Sequence, residues 1–320
     1  MGDSKLTIVI PVKNRAEIFE RTLRSVAAQK LRPLKVVIVD NGSTDSTAET
    51  ARKWCDAVAA TGIDALLLGE DSPGVCAARN RGLAAVTTPY VMFFDSDDEM
   101  LPGHTQRIAD FFEANPGVDL LGFDAVEMDS DGWTEPRVVT DSNVMRGHIL
   151  HCSFATQRYA AATELVRAAG GWNEELPVWN DFEFGVRLLL HSGSTAFVHG
   201  DPGVVIHRSD NSISSVGFAA GATAMERAIE AAEASLAAAG RCADLEWTDA
   251  RRMVLGALAR REGNAEDARR IESKALARAK TLKKKLTLRL VGASVRLTGH
   301  GGCAIAAAML CPEKGSGECH

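Results

Sequence analysis

Apolar positions follow two rhythms along this chain, and for the first hundred residues the rhythms take turns. Leu6 to Val12 is a short apolar run, and from Ala16 the positions Phe19, Leu23, Val26 and Ala27 repeat at helical spacing to about Gln29. Leu34 to Val39 is a second apolar run, stopping on Asp40-Asn41-Gly42-Ser43-Thr44-Asp45. Ser46-x-x-Glu49 has the form of a capping box for the next helix. A third strand is predicted over Ala65 to Leu68, a helix over Val75 to Val86 and a fourth strand over Tyr90 to Phe94. Alternation of this kind builds a parallel sheet with crossover helices. Ligands of such sheets bind outside the carboxyl ends of the strands. The polar stretches around Asp40 and Asp95 are therefore expected to open into one crevice.

Beyond the fourth strand the pattern loosens. Pro102 is placed to begin a helix running to about Ala114, followed by a strand over Val118 to Phe123. Asp129-Ser130-Asp131-Gly132 reads as a hairpin turn between 125–128 and 133–140. Thr163 is placed to cap a short helix ending at Gly170-Gly171, and Phe182 to Leu190 forms another, stopped by His191-Ser192-Gly193. Strands are predicted over 195–199 and 203–207. Around Gly217 the composition shifts to alanine-rich helices, over 222–239, 248–260 and 265–279. The pattern thus divides the chain into an α/β domain over 1–215, a helical extension over 216–300 and a tail over 301–320, disordered in part.

A formal net charge of −6 over 320 residues argues against non-specific nucleic-acid binding. No apolar run reaches the roughly 18 residues of a membrane span, and no signal-peptide pattern opens the chain. Seven scattered cysteines without a Cys-x-x-Cys pair fit free thiols in a reducing compartment, so a cytoplasmic location is expected. The eight-residue spacing of Cys303, Cys311 and Cys319 is not that of zinc ligands. One charge run stands out: from Arg278 to His300 there are seven Lys or Arg and no Asp or Glu, interleaved with leucines and valines. Such a helix either packs its leucines on the extension or lies on the anionic inner face of a membrane.

The chemistry concentrates at Phe94-Asp95-Ser96-Asp97-Asp98. Three carboxylates at a strand end are either capping groups or ligands of a hard divalent cation bridging protein to phosphate. Five further segments accompany it. They are Ile10-Pro11-Val12-Lys13-Asn14-Arg15, Val39-Asp40-Asn41-Gly42-Ser43-Thr44-Asp45, Gly74-Val75-Cys76-Ala77-Ala78-Arg79-Asn80-Arg81-Gly82, Gly170-Gly171-Trp172-Asn173-Glu174 with Asn180-Asp181-Phe182-Glu183, and Ile206-His207-Arg208-Ser209 ahead of Ser212 and Ser214. In this order, over roughly residues 5–215, they resemble the inverting family 2 glycosyltransferases. That resemblance implies the GT-A fold, a Rossmann-like, mostly parallel sheet flanked by helices, here with a helical C-terminal extension.

It also implies roles. Asp97 would ligate Mn2+ or Mg2+ directly, with His207 as the second protein ligand and Asp98 behind them. Asp95 would accept from the ribose, beside Ser96. Asp40 would pair with the uracil edge, and Pro11, Val12, Asn14 and Ser43 would line the base pocket. Arg79 and Asn80 would sit near the base or diphosphate, and Asp181 would be the catalytic base. The family's Glu-Asp pair reads Asn180-Asp181 here, and Glu183 is the alternative base. Plainer readings stand beside these: Asp40 and Ser43 as turn residues, His207 as a half-buried histidine, Arg79 on a solvated face and Asp181 as a charge at a helix N-terminus.

The function expected from the resemblance is transfer of a sugar from a nucleotide sugar, most simply a UDP-sugar, to a hydroxyl on a glycan or lipid-linked acceptor in polysaccharide synthesis. The alternative is a catalytically silent nucleotide-sugar-binding subunit. Gln157-Arg158-Tyr159 lacks the Gln-x-x-Arg-Trp spacing of processive synthases, and the first strand lacks the Gly-x-Gly-x-x-Gly turn of a dinucleotide oxidoreductase. The Gly-rich start of sugar nucleotidylyltransferases is absent as well. Donor sugar, acceptor and linkage depend on residues 120–180, where the family has no fixed pattern.

Overall fold

A computed structural model describes residues 3–208 and 217–310. Ser209, Asp210, Asn211, Ser212, Ser214, Cys311, Cys319 and the expected tail from Pro312 lie outside the described residues. The chain forms two compact units, 1–139 with 154–177 and 191–209, and 140–153 with 178–190 and 210–320.

The first unit is built on β1 (Leu6–Val12), α1 (Ala16–Ala27), β2 (Leu34–Asp40), α2 (Thr47–Val58), β3 (Ile63–Gly69), α3 (Val75–Ala84) and β4 (Tyr90–Phe93). It continues with β5 (Glu99–Met100), α4 (His104–Ala114), β6 (Leu120–Phe123), β7 (Ala125–Met128), β8 (Thr134–Arg137), β9 (Tyr159–Ala162), α6 (Thr163–Ala168), β10 (Thr195–Val198) and β11 (Val204–His207). Seven strands make one sheet in the order β10-β6-β9-β4-β1-β2-β3, all parallel except β9, which runs antiparallel to both neighbours. A smaller sheet, β5-β11-β7-β8, carries the expected hairpin, with Glu127 opposite Glu135.

Ile8 and Ile10 of β1, Val36 and Ile38 of β2 and Met92 of β4 are sealed from solvent with Phe19, Leu23 and Val26 of α1. Each such side chain contributes on the order of 1.5–3 kcal/mol. On α3, a Cβ at Gly82 would stand 2.3 Å from Val9 Cγ1, so only glycine lets that helix lie this close to β1. The register pairs Val12 with Asp40 and Val9 with Phe93. The ends of β2 and β4 therefore leave the same edge of the sheet on either side of β1.

Several local expectations are corrected. Pro102 lies in a turn, and α4 begins after Gly103, whose φ of +79° no proline could adopt. Ser46 precedes α2 without a side-chain cap; the Asp45 carboxylate accepts from Thr47 N at 3.0 Å instead. Thr163 is likewise no cap, since its hydroxyl donates to the Thr88 carbonyl at 2.8 Å. β9 was hidden because Tyr-Ala-Ala-Ala has helix-forming composition, overridden here by pairing on both sides.

The second unit is helical: α5 (Val144–His151), α7 (Asn180–His191), α8 (Phe218–Ala238), α9 (Leu245–Arg261), α10 (Ala265–Arg278), α11 (Leu282–Thr298) and α12 (Gly302–Met309). Side chains cap three of them: Asn143, Asn264 and Thr281 accept from Arg146 N, Asp267 N and Lys284 N. Buried Glu226 of α8 pairs with Arg270 and Lys274 of α10, and Arg252 of α9 pairs with Glu233. Among the described cysteines, Cys242 departs from the expectation of free thiols: it is disulfide-bonded. Sequence spacing holds no distance information that would have revealed it.

Candidate functional site

The loops leaving β1 and β2 are tied to each other. Asn14, held at φ +50°, accepts from Thr44 N at 2.8 Å, and its own N–H donates to Ser43 Oγ at 3.0 Å. Ser43 N in turn donates to Asp40 Oδ2 at 3.2 Å, while Asn41 N donates to Val12 O at 2.9 Å. Pro11 and Val12 are buried beneath this knot. Asp40 Oδ1 is left sealed from solvent with no hydrogen-bond partner. A buried unsatisfied acceptor costs about 1–3 kcal/mol, which a ligand donor would recover.

The Asn41 side chain extends the knot. Its amide donates to Glu70 O and Ser72 O and accepts from Gly74 N, fixing the turn into α3. That helix brings Arg79, 4% exposed, against Asp95 at 2.7 Å and over the Trp172 ring at 4.2 Å. Arg79 is therefore a buried paired cation and not a solvated helix face. Asn80 is placed differently: its amide donates to Trp172 O and Glu174 Oε1 and accepts from Trp172 N. It pins the 171–174 loop, and that work engages both ends of its side chain.

Ser96 is buried, and its carbonyl, like that of Asp98, accepts from Thr22 Oγ1. Asp98 is buried too: Oδ2 accepts from the Gln157 amide at 2.5 Å and Oδ1 from His207 N at 2.9 Å. This carboxylate thus stitches the Asp-rich loop to β11 and carries His207 beside it. Burial, then Asp95 and Asp97, push its carboxyl well above the usual range. The His207 ring lies 3.6 Å from the Glu99 carboxylate, and burial, then Arg21, lowers its pKa against the pull of Glu99.

Asp97 has Arg15 Nε 4.0 Å from Oδ2, and its carbonyl accepts from Arg21. Arginines therefore supply part of the positive charge that three crowded carboxylates require. They do not supply all of it, because burial and then Asp95 still hold the Asp97 carboxyl above the ordinary value against Arg15 and Arg21. A divalent cation fits that imbalance by favouring the carboxylate. Among the described residues no three His, Cys, Asp or Glu side chains form a closed cage. A cation held by Asp97 and His207 would complete its shell with ligand oxygens and water, as magnesium commonly does.

Asp181 stands on the second unit, in the first turn of α7, where its Oδ1 accepts from Phe182 N at 2.8 Å. Glu183, the alternative base, is nearly buried and bound by both its oxygens to Arg187 at 2.6 and 2.7 Å. Arg15, Arg21, Gln157 and Trp172 were missed as site-shaping residues. Arg15 and Trp172 stood in the quoted motifs, and Gln157 was noted only to set aside a processive synthase.

A mostly parallel sheet with Asp40 and the Asp95–Asp98 loop at its carboxyl edge is the arrangement of GT-A glycosyltransferases. Residues 7–164 match the model of Glycosyl transferase family 2, so the chain carries a domain of that family. Over 99 residues it is 33% identical to the uncharacterized glycosyltransferase YibD of Escherichia coli K12, a match spanning 31% of this chain and 28% of that protein. Its fold is similar to that of S. aureus TarS 1-349 in complex with UDP-GlcNAc (TM-score 0.59, 17% identity, 84% of this chain and 91% of that one). It is also similar to the mannosyltransferase PcManGT of Pyrobaculum calidifontis with GDP-Man and Mn2+ (TM-score 0.52, 20% identity, 95% and 85%).

Proposed function

We propose that the chain is a metal-dependent inverting glycosyltransferase, moving one sugar at a time from a nucleotide sugar to a hydroxyl acceptor in glycan or polysaccharide synthesis. The observation that carries the donor half is Asp40, whose Oδ1 is buried without a partner at the sheet edge shared with Asp97. The N–H of a uracil edge is a donor of the kind that oxygen lacks. UDP-sugar is therefore the donor to test first, and the UDP-GlcNAc in the TarS structure supports the choice. Pro11, Val12, Asn14 and Ser43 would hold the base, Asp95 and Ser96 the ribose, and Arg79 the diphosphate side through its pairing with Asp95. Asn80 would act through the 171–174 loop. The transferase domain would occupy residues 1–215, with 216–300 as its helical extension; of the expected tail over 301–320, residues 302–309 form α12 instead.

Asp97 and His207 would hold Mn2+ or Mg2+; the manganese in the PcManGT structure supports this. When bound, the cation supplies Lewis-acid stabilisation of the departing diphosphate. The residues of the chain do the rest: Arg15, Arg21 and Arg79 offset the carboxylates, and Asp181 takes the proton of the acceptor hydroxyl. General-base assistance is worth about 10²- to 10⁴-fold, and an amide cannot provide it. Asp181→Asn should lose turnover by about that factor and keep donor affinity. UDP release from a panel of UDP-sugars, with calorimetric UDP binding alongside, checks both. Normal turnover in the variant would remove Asp181 and bring Glu183 forward.

Lipid-linked acceptors would suit a surface-bound enzyme. No described helix is long and apolar enough to cross a membrane. On α11, Leu288, Val291 and Val295 are buried, whereas Leu282, Leu286, Leu290 and Leu297 are 72%, 49%, 49% and 82% exposed, beside exposed Lys283, Lys285 and Arg289. The outward leucines are not the ones that pack, which favours peripheral contact with the anionic inner face of a membrane and a cytoplasmic location.

A further inference from the structure

The α7 start that carries Asp181 is built around an arginine from the helical extension. Arg251, on α9, places its guanidinium carbon 4.1 Å from the centre of the Trp179 ring and 4.1 Å from that of Phe182. The two rings lie 6.1 Å apart at 67°, so the planar cation sits in the angle between them. These aromatics flank Asp181 on either side in the sequence. Trp179 is held at φ +54°, a backbone conformation that bulky residues rarely adopt, immediately before the helix. Arg251 Nη1 donates to Ile149 O at 2.8 Å, fixing the guanidinium against α5, and its Nε is sealed from solvent without a partner.

We propose that Arg251 is a positioning residue for Asp181: it clamps the first turn of α7 through the two rings that flank that carboxylate in the sequence, so that the group is aimed when the acceptor arrives. Its charge holds down the carboxyl's pKa. The inference rests on the assignment of Asp181 as the base. It gives part of the extension a role in positioning the base, through a residue outside the motifs quoted above. An arginine suits the task better than a lysine, since only a planar guanidinium stacks on two rings while donating sideways.

The surroundings of Arg251 are specific. Burial lowers the pKa of Arg251, opposed in turn by Cys152, Cys303 and Asp181. On α5, burial and then Arg251 and Arg146 lower the pKa of His151. His148 Nε2 lies 2.8 Å from Phe182 O, and Glu183 is already neutralised by Arg187. Asp181 is thus the one carboxylate among the groups that favour the charge on Arg251.

The test is the titration of the Asp181 carboxyl itself, followed by carbon-13 NMR on the full chain with labelled aspartate and assigned by loss of the signal in Asp181→Asn. In Arg251→Gln the midpoint should rise by about 1 pH unit, the lower end of what a neighbouring opposite charge produces. Arg251→Lys keeps the charge but not the stack, and should return most of that rise. An unmoved midpoint in a folded Arg251→Gln overturns the proposal. Should the Gln variant not fold, the Lys variant decides: a wild-type midpoint together with wild-type sharpness of the Asp181 signal overturns the clamp. The titration needs no substrate, so its failure is separate from that of the base assignment, which falls only if Asp181→Asn keeps its turnover.

Discussion

Asp97 is the residue on which the metal assignment stands. Its carboxyl is held above the ordinary range by burial and by Asp95, and a cation that binds it must displace that proton equilibrium. Manganese should therefore raise the melting temperature of the wild type less as pH falls through the range in which that carboxyl protonates, and should raise that of Asp97→Asn little at any pH. A ligand present at a hundredfold its dissociation constant adds about 2.7 kcal/mol of stability. An equal manganese response in the variant would remove Asp97 from the site. In turnover, chelator should silence the wild type and manganese restore it.

A second residue makes a prediction of opposite sign and simpler origin. His104, on α4, is 2% exposed, its Nε2 has no partner, and burial lowers its pKa from 6.5 to about 3. The folded chain keeps this ring neutral where the unfolded chain protonates it. Its contribution to stability is therefore complete above about pH 6.5 and is lost as pH falls towards 3. Between pH 6.5 and 5 that loss amounts to about 2 kcal/mol. His104→Leu cannot lose it, so the stability difference between wild type and variant should move by that amount in the variant's favour over this interval. Urea unfolding at the two pH values reads the change, and the pH-independent cost of the substitution cancels. A constant difference would mean that water reaches the ring.

Among the elements, α3 gives the sharpest packing prediction. Gly82→Ala would set a methyl 2.3 Å from Val9 Cγ1 and 3.2 Å from Val39 Cγ2. Overpacking of this kind costs about 1–3 kcal/mol. Val9→Ala should recover part of it, so the double variant should be more stable than the sum of its single losses predicts. Denaturant midpoints of the four proteins decide, and strict additivity would show that the helix moves away instead.

The same elements show what could be seen in the residue pattern. β1 to β4 and the helices between them were legible because each alternation of period carries its own burial, and those segments are paired and packed as their patterns require. The Asp-rich loop and the Asp40 turn were legible as motifs, since strand ends of this sheet carry polar groups only where something uses them. β9 was illegible because its Ala160 and Ala161 owe their conformation to neighbours 40 residues upstream in β6 and further still in β4. Gln157 was passed over for the same reason: its hold on Asp98 bridges 59 positions. The Asn80 assignment assumed that a motif side chain faces the ligand, whereas this one is engaged by Trp172 and Glu174.

For the whole molecule, the membrane contact proposed for the basic face of α11 has its own test. Each Lys or Arg near an anionic surface is worth about 1 kcal/mol, and the attraction falls within a Debye length. The full chain should sediment with phosphatidylserine-containing liposomes at low salt and come off at high salt. Leu286→Ser with Leu290→Ser should weaken binding at low salt. Liposomes of neutral lipid should retain little. No sedimentation at low salt would end the idea.

The antiparallel strand β9 sets an order in which the sheet can be made. It is the sole bridge in the sheet order between β4-β1-β2-β3 and β6-β10. A chain leaving the ribosome can join its first four strands once residue 93 is free. β6 must wait for residues 159–162 before it has any place in that sheet, and β10 waits longer still. Closure of the sheet is therefore a late event driven by contacts far apart in sequence, the kind that slows folding. Once closed, Ala160 and Ala161 sit in the middle of a completed sheet, and their amide protons should be among the slowest in the protein to exchange with deuterated solvent.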